Sequence, residues 1–192
     1  MGSTGVESVR DRLISVYSSA KYQGAKNAFY SSSQVTECGL LKILRIEMKI
    51  RMANEADFSQ WLLLWKGYQV FYKADIANTT TETTWSRFQD VAEPMHCAVA
   101  EVDGHLIGMV HYIQHRSCWA TGDYLYLQDL FVDPDIRGKG VGRALIQHVY
   151  AAAAELGASR VYWLTHESNS DAMLLYDRIA DKSGFIQYRK LM

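Results

Sequence analysis

The fold is decided by one stretch of the sequence, Leu130-Phe131-Val132-Asp133-Pro134-Asp135-Ile136-Arg137-Gly138-Lys139-Gly140-Val141-Gly142-Arg143-Ala144-Leu145. An apolar segment ends at Asp133-Pro134, a loop with three glycines follows, and the loop leads into an amphipathic segment of helical period. Glycine lets the backbone adopt positive φ and approach a ligand closely, and the first N–H groups of a helix have no partner within it. The loop also carries three cations, Arg137, Lys139 and Arg143. The stretch therefore predicts a strand–loop–helix junction that cradles a diphosphate.

Two well-known phosphate-binding loops do not fit this stretch. The pattern G-x-x-x-x-G-K-[ST] of the P-loop is absent. The dinucleotide pattern G-x-G-x-x-G fails at its last glycine, where Arg143 stands. What remains is Asp133-Pro134 and then Arg137-x-x-Gly140-x-Gly142 at the start of a helix. A plain tight turn between a strand and a helix is the alternative interpretation.

The chain from about residue 43 onward predicts a layered α+β domain. Asp103-Gly104 separates two alternating segments and predicts a two-residue hairpin. Segment 124–132 is apolar on both faces, which is typical of a strand inside a sheet. The predicted strands cover 43–51, 96–102, 105–114, 124–132, 160–165 and 185–190, and the predicted helices follow Asn54 and cover 79–90, 140–156 and 169–182. The order β-α-α-β-β-β-α-β-α-β favours a sheet with helices on its faces.

The composition is that of one globular domain with room for an appendage. The 192 residues are 48% apolar and 21% charged, with a net charge of −1. This charge excludes a broad basic surface of the kind that binds nucleic acid. No apolar run reaches the ~18–20 residues that cross a bilayer, so no membrane partner is expected. The 3 cysteines show no C-x-x-C spacing and no cluster of metal ligands is visible, which predicts a reducing compartment and no metal.

Residues 1–47 differ in composition from the rest, with 8 serines and with 6 basic against 4 acidic residues. We interpret them as an N-terminal extension of unknown role, with Met48 as an alternative start. The many serines and few acids leave a targeting peptide as the alternative, although the apolar core of a secretory signal is missing. The globular domain is therefore predicted over 48–192.

The loop and the C-terminal part together resemble the GNAT superfamily of acetyl-CoA-dependent N-acetyltransferases. The segment Arg137-x-x-Gly140-x-Gly142 looks like the family's acetyl-CoA loop, [QR]-x-x-G-x-[GA]. Further on, Asn169, Ala172, Leu175-Tyr176 and Phe185 look like the family's N…A…LY…GF ending. The resemblance covers about residues 45–190, and the run 127–132 is most similar to the branch that acetylates diamines, polyamines and other small amines. Some relatives in that branch also acetylate histone tails.

This resemblance implies a fold and a cofactor site. The implied sheet is mixed and mostly antiparallel, with helices on both faces and one splayed pair of parallel strands, 124–132 and 160–165. Acetyl-CoA would lie in the splay, with no metal required. Its pantetheine arm would bond to the backbone of Leu130, Phe131 and Val132. Its diphosphate and remaining parts would contact Arg137, Gly138, Lys139, Gly140, Val141, Gly142, Arg143, Asn169 and Tyr176.

The resemblance also implies direct attack of the amine on the thioester in a ternary complex. Tyr176, in the LY motif, would donate a proton to the leaving thiolate. Relatives often carry a glutamate base where this chain has Gln128, and an amide cannot accept a proton at neutral pH, so Gln128 would only orient water or substrate. Strand alternation turns its neighbour Asp129 to the other face. We therefore expect a base that acts through water, with His111, His166 and Glu167 left open as candidates.

The resemblance also implies that the acceptor site lies at the end of the first helix, where Tyr68 and Tyr72 would form an aromatic wall beside Gln128 and His166. Such a wall attracts a cationic amine through cation–π contact. The sequence and the resemblance thus predict an N-acetyltransferase of a small primary amine. The acceptor classes expected are polyamines, diamines and amino acids. The alternatives are acetylation of a protein or histone lysine and a non-catalytic sensor that binds acyl-CoA. Family analogy further implies a homodimer. The cysteine pattern and the missing secretory signal predict a cytoplasmic protein.

Overall fold

The computed structural model describes residues 48–192, so the predicted extension over 1–47 lies outside the described residues and stays a prediction. Within 48–192 the chain forms five strands and four α-helices. In chain order they are β1 (Lys49–Met52), α1 (Phe58–Tyr72), α2 (Asn78–Gln89), β2 (Met95–Val102), β3 (His105–His115), β4 (Tyr124–Val132), α3 (Val141–Glu155), β5 (Arg160–Tyr162) and α4 (Ser170–Tyr176). Short 3₁₀ turns cover Glu55–Asp57 and Pro134–Ile136.

The five strands form one sheet in the order β1-β2-β3-β4-β5. Neighbouring strands run antiparallel except β4 and β5, which run parallel. The predicted fold class is thereby confirmed. The hairpin between β2 and β3 turns at Asp103 and Gly104, whose φ values of 50° and 78° are both positive, as a type I′ turn requires.

Helices cover both faces of the sheet. On one face, Trp61 and Trp65 of α1 and Trp85 of α2 pack against Val99 and Met109. On the other face lies α3, and its Leu145 side chain comes within 3.2 Å of where a Cβ on Gly108 would stand. Of the apolar positions that the 3.6-residue period predicts for this helix, Val141, Leu145 and Val149 are buried and Ala152 is half-buried. Leu156 is exposed, because the helix ends at Glu155.

An extra residue interrupts the pairing of β3 with β4. His111 pairs with Asp129 and Tyr112 pairs with Leu127, so Gln128 has no partner of its own in this register. A β-bulge of this kind reverses the alternation of side chains along the strand. Leu127 therefore shares the α3 face with Tyr112, whereas Asp129 shares the α1 face with His111.

The C-terminal elements are shorter than the sequence predicts. The strand predicted over 160–165 ends at Tyr162, and the helix predicted over 169–182 ends at Tyr176. The prediction of a strand over 185–190 is wrong, because these residues are exposed and pair with no strand of the described sheet. Alternation of apolar and polar residues predicts a strand only where a partner supplies a ladder, and the short β5 supplies none here.

One arginine ties the first strand to the start of the first helix. Arg51 of β1 bonds to both carboxylate oxygens of Asp57 at 2.6 and 2.8 Å, and its Nε bonds to Glu101 of β2 at 2.6 Å. The same Asp57 carboxylate accepts the backbone N–H of Asn54, which closes a capping box. The Arg51 guanidinium holds the pKa of the Asp57 carboxyl below its ordinary value, in spite of burial.

Replacing this carboxylate tests its contribution to stability. We expect Asp57→Asn to lower the free energy of unfolding at pH 7 by about 1–3 kcal/mol, because Arg51 loses a charged partner. Since the folded-state pKa of Asp57 is lowered, its contribution is full above the unfolded value of ~3.9 and is lost as the pH falls. The gap between the two proteins should therefore narrow below about pH 4. Urea unfolding across pH measures it.

Glu93→Gln is the matched control. Glu93 pairs with Arg87 at 3.7 Å on an exposed surface, so its loss should change the stability by less than about 0.5 kcal/mol. Equal stabilities for Asp57→Asn and the wild type at pH 7 would contradict the assigned role of Asp57.

Candidate active site

A cleft opens where β4 and β5 part. The two strands pair only from Tyr124 with Arg160 to Tyr126 with Tyr162, while β4 continues to Val132. The cleft has a volume of about 630 Å³. Its walls are the second half of β4, the glycine loop, the first turn of α3, the residues after β5, α4 and the end of α1. The splayed parallel pair predicted from the sequence therefore opens onto this cavity.

The glycine loop presents main-chain N–H groups to this cleft. Gly138 and Gly140 have φ values of 79° and 87°, a region that other residues rarely adopt. Gly140 precedes α3 without any side-chain cap, and the first helical bond joins the Ala144 N–H to its carbonyl at 3.0 Å. The N–H groups of Val141, Gly142 and Arg143 thus have no acceptor within the helix. The junction thus has the unpaired N–H groups that favour a bound anion, and the anion site predicted from the sequence stays a prediction.

Most of the predicted site residues lie on this cleft. The lining includes Tyr68, Tyr72, Gln128, Leu130, Phe131, Val132, Arg137, Gly138, Gly140, Val141, Gly142, Arg143, Asn169 and Tyr176. Lys139 and His166 are not part of the lining. The His166 ring is exposed and its Nδ1 lies 2.7 Å from the Ser168 hydroxyl. The roles predicted for these two residues stay predictions.

Arg137 lies at the rim of the cleft. Its Nε donates to the Val132 carbonyl at 3.3 Å, and its guanidinium carbon lies 5.5 Å from the Phe71 ring centre and 5.9 Å from that of Phe131. These contacts place a permanent positive charge beside the glycine loop, where it favours an anion.

Tyr176 projects into the cleft from the end of α4. Its ring contacts Trp163 edge-on, with ring centres 5.3 Å apart. Burial, with a smaller contribution from Tyr72, raises the pKa of Tyr176 to about 12. The hydroxyl therefore remains protonated at neutral pH, which is the state that a proton donor needs. Trp163 was not singled out from the sequence, although it directly follows the last residue of β5.

The opposite wall is formed by three aromatic residues of α1, namely Tyr68, Phe71 and Tyr72. Tyr68 stacks on Trp65 with ring centres 5.4 Å apart, and Tyr72 lies 4.9 Å from Tyr68. Asn169 donates to the Thr165 hydroxyl at 3.1 Å. Burial raises the pKa of Tyr72, and the neighbouring Asn169 side chain opposes this effect. The predicted aromatic wall thus faces the predicted cofactor residues across one cavity.

Behind this wall lies a buried polar chain that sequence patterns did not reveal. The Trp61 Nε1–H group donates to His111 at 2.9 Å, and the other ring nitrogen of His111 lies 2.9 Å from the Asp129 carboxylate. His111 was one of several candidate bases, and its alternating strand could not show what it contacts. Only the packing of α1 on the sheet brings Trp61 to it.

Two negative findings concern residues 48–192 alone. In that range no group of three or more His, Cys, Asp or Glu side chains is placed to hold a metal ion. Within the same residues no helix is both long enough and apolar enough to cross a bilayer. The expected absence of a metal stays a prediction.

Comparison with known proteins gives consistent matches. The model of the Acetyltransferase (GNAT) family matches residues 59–180. The D-amino-acid N-acetyltransferase of Saccharomyces cerevisiae is 36% identical over 151 residues, which are 78% of this chain and 94% of the yeast protein. The thialysine N-epsilon-acetyltransferase of Mus musculus is 30% identical over 109 residues, 49% of this chain and 62% of the mouse protein.

Solved structures with low identity share the fold. The ribosomal-protein-alanine N-acetyltransferase of Brucella melitensis superposes with a TM-score of 0.61 at 23% identity, over 76% of this chain and 100% of its own. An aminoglycoside N-acetyltransferase crystallised with CoA gives 0.63 at 20% identity, over 75% and 95% of the two chains.

Two glycines of the loop test whether backbone conformation shapes the site. Gly140→Ala should lower the free energy of unfolding by about 1–2 kcal/mol, because alanine is strained at a φ of 87°. Gly142→Ala is the matched control, since its new Cβ would stand 3.7 Å from Leu175 and 3.8 Å from Val132, in ordinary contact. Thermal unfolding of both variants measures the difference. Equal effects would contradict the conformational role of Gly140.

Proposed function

The chain belongs to the GNAT acetyltransferase family, and on that premise we propose that it transfers the acetyl group of acetyl-CoA to the primary amine of a small molecule, with amino acids as the leading acceptor class. The observation that carries this proposal is the single cleft in which unpaired N–H groups of α3, the open edge of β4 and the Tyr176 hydroxyl meet. The similarity to acetyltransferases of amino acids in yeast and mouse supports the acceptor class.

The glycine loop fits the diphosphate of the cofactor. A Cβ at Gly138 or Gly140 would meet no protein atom within 4 Å, so the space over both residues is open to a ligand. The N–H groups of Val141, Gly142 and Arg143 would bond to the phosphate oxygens, and Arg143 adds a side-chain charge. Arg137 would reach the same anion from the rim. Lys139 and Asn169 are proposed to contact the cofactor on family analogy.

The open edge of β4 fits the pantetheine arm. Beyond Tyr126 the strand has no partner on the side of β5, so amide groups of Leu130, Phe131 and Val132 on that side would bond to the amides of the arm. The acetyl group supplied by the cofactor would then lie near Gln128, between Tyr176 and the aromatic wall. A main-chain N–H of β4 would stabilise the oxyanion that forms when the amine attacks.

The amine must lose a proton before it can attack. A free alkylamine has a pKa of ~10.4, so the neutral form costs about 4–5 kcal/mol at pH 7. Tyr68 and Tyr72 would receive the ammonium form by cation–π contact, and Gln128 would orient it. When the oxyanion re-forms a carbonyl, the C–S bond breaks. Tyr176 would then donate its proton to the departing thiolate, whose pKa resembles the ~8.5 of cysteine.

We further propose a cytoplasmic homodimer. Cys97 and Cys118 are free thiols, as expected in a reducing compartment. The C-terminal segment exposes Phe185, Ile186 and Tyr188 at 75–89% of their surface, beside a sheet whose last strand has only three residues. A second copy would cover these side chains.

Light scattering should give twice the mass of the chain, and Ile186→Asp together with Tyr188→Asp should give the monomer.

The acceptor class is tested by release of CoA thiol across a panel of amines. The panel contains D- and L-amino acids, lysine, thialysine, putrescine, spermidine and a histone-tail peptide. We expect turnover on the amino acids. Turnover on the peptide alone would replace the proposed acceptor with a protein lysine. Tight binding of acetyl-CoA without turnover on any amine would show a sensor and overturn the proposed activity.

The role of Tyr176 is tested by removing its hydroxyl. Tyr176→Phe should lower kcat about 10–100-fold and change the KM for acetyl-CoA by less than about threefold. Because burial raises the pKa of Tyr176 to about 12, the wild type should show no alkaline decline from this group below about pH 10. Tyr188→Phe, at an exposed tyrosine outside the cleft, is the control and should match the wild type. An unchanged kcat in Tyr176→Phe would exclude the assignment.

A further inference from the structure

The buried chain behind the aromatic wall has a defined direction. Trp61 can only donate, so the nitrogen of His111 that faces it must be an acceptor. His111 is therefore neutral, with its proton on Nδ1, and donates that proton to Asp129. The rings of Trp61, His111 and Phe88 pack closely around this bond, and the exposed fractions of His111 and Asp129 are 2% and 7%. Nothing in this chain of donors neutralises the carboxylate.

Tyr68 is packed toward Asp129 on the side of the cleft, since its ring stacks on Trp65 and the Trp65 ring centre lies 5.3 Å from that of His111. Burial raises the pKa of Tyr68 well above its ordinary value, and the charge of the Asp129 carboxylate and a hydrogen bond to it raise this pKa further. The negative charge of Asp129 also helps to raise the pKa of three other groups: Tyr72 on α1, Cys97 on β2 and Tyr126 on β4. Each of these groups is neutral at pH 7, so the carboxylate has no cation beside it among them.

Tyr68 stands between the carboxylate and the cleft. It lines the large cavity, whereas Asp129 does not. Asp129 instead borders a second cavity of about 150 Å³ under α2, and Gln128 borders both cavities. The bulge at Gln128 explains this arrangement, since it turns Asp129 toward α1 and leaves Gln128 exposed in the cleft. Tyr68 and Gln128 therefore lie between a group bound in the cleft and the carboxylate.

We propose that Tyr68 relays the proton of the acceptor amine to Asp129, which serves as the terminal base that Gln128 cannot be. The proposal rests on the proposed function. In this step the ammonium N–H bond breaks and a new O–H bond forms on Tyr68, while the original Tyr68 proton moves to the Asp129 carboxylate. The ammonium and the carboxylate become a neutral amine and a carboxylic acid, and Tyr68 ends unchanged. The carboxylic acid returns its proton to water after product release.

The geometry explains why two residues share this task. The raised pKa of Tyr68 means that its hydroxyl does not ionise, so it can pass a proton on but cannot keep the charge. The hydrogen bond from His111 fixes one Asp129 oxygen at 2.9 Å and leaves the other lone pairs to Tyr68. His111 and Trp61 are therefore positioning residues for the base.

The pH profile of kcat/KM for the amine distinguishes this relay from water acting alone. With the relay, the enzyme binds the ammonium form and the profile should be flat from about pH 7 to 9.5. In Asp129→Asn the amine must lose its proton to water, so kcat/KM should rise tenfold per pH unit toward the ~10.4 of a lysine-like amine. The variant should be within about fivefold of the wild type at pH 10 and, because its rate falls about tenfold for each pH unit below that, about 500-fold slower at pH 7.

Tyr68→Phe keeps the ring on Trp65 and removes only the hydroxyl, so it tests the same step if Asp129→Asn fails to fold. It should show the same slope, and the double variant should be no slower than either single variant, because both residues act in series. Tyr126→Phe is the matched control. Its hydroxyl also lies near Asp129, but its ring stacks on Tyr162 outside the cleft, so it should keep the flat profile.

Each other outcome counts against the relay in a recognisable way. A wild-type profile that already rises tenfold per pH unit would overturn it, as would flat profiles in Asp129→Asn or Tyr68→Phe. Additive losses in the double variant would also overturn it. If the wild type acetylates no amine at any pH while binding acetyl-CoA, the proposed function itself fails and the relay fails with it.

Discussion

The active cleft depends on one extra residue in β4. Without the bulge at Gln128, strand alternation would put Leu127 and Asp129 on the same face of the sheet. With it, Leu127 is buried on the α3 face, and Asp129 is buried on the α1 face, where Phe131 belongs to the core. The bulge also leaves Gln128 exposed at the place where β4 loses β5 as its partner. A single local irregularity thus joins both cores to the cleft.

Local signals predicted the parts of the fold that neighbouring residues determine. The Asp103-Gly104 turn, the Asn54 cap and the loop with Gly138 and Gly140 each depend on the conformations allowed to a few adjacent residues. The fold class and most of the residues that line the cleft follow from these signals together with the family resemblance. The exact ends of strands and helices near the C-terminus do not.

Contacts between distant parts of the chain could not be predicted in this way. The pair of Trp61 with His111 joins a helix to a strand 50 positions later, and neither residue differs in pattern from an ordinary core residue. The bulge is not visible in the sequence either, since Gln128 and Asp129 stand side by side in an otherwise apolar strand and no pattern shows which of them lacks a partner. The strand expected over 185–190 failed for the same reason, because its formation depends on a partner that no local pattern reveals.

The two halves of the cleft are built from different chemistry. Main-chain amides at Val141 and Gly142 carry no proton that is lost near neutral pH, and the guanidinium of Arg137 is always charged. Under the proposed function, binding of an anionic cofactor is therefore expected to be insensitive to pH near neutrality. The pH dependence is expected to come from the proposed roles of Tyr68 and Asp129. A side-chain substitution leaves a backbone N–H in place. The residues that would receive the amine can therefore diverge among related chains while the main chain of the glycine loop keeps its ligand.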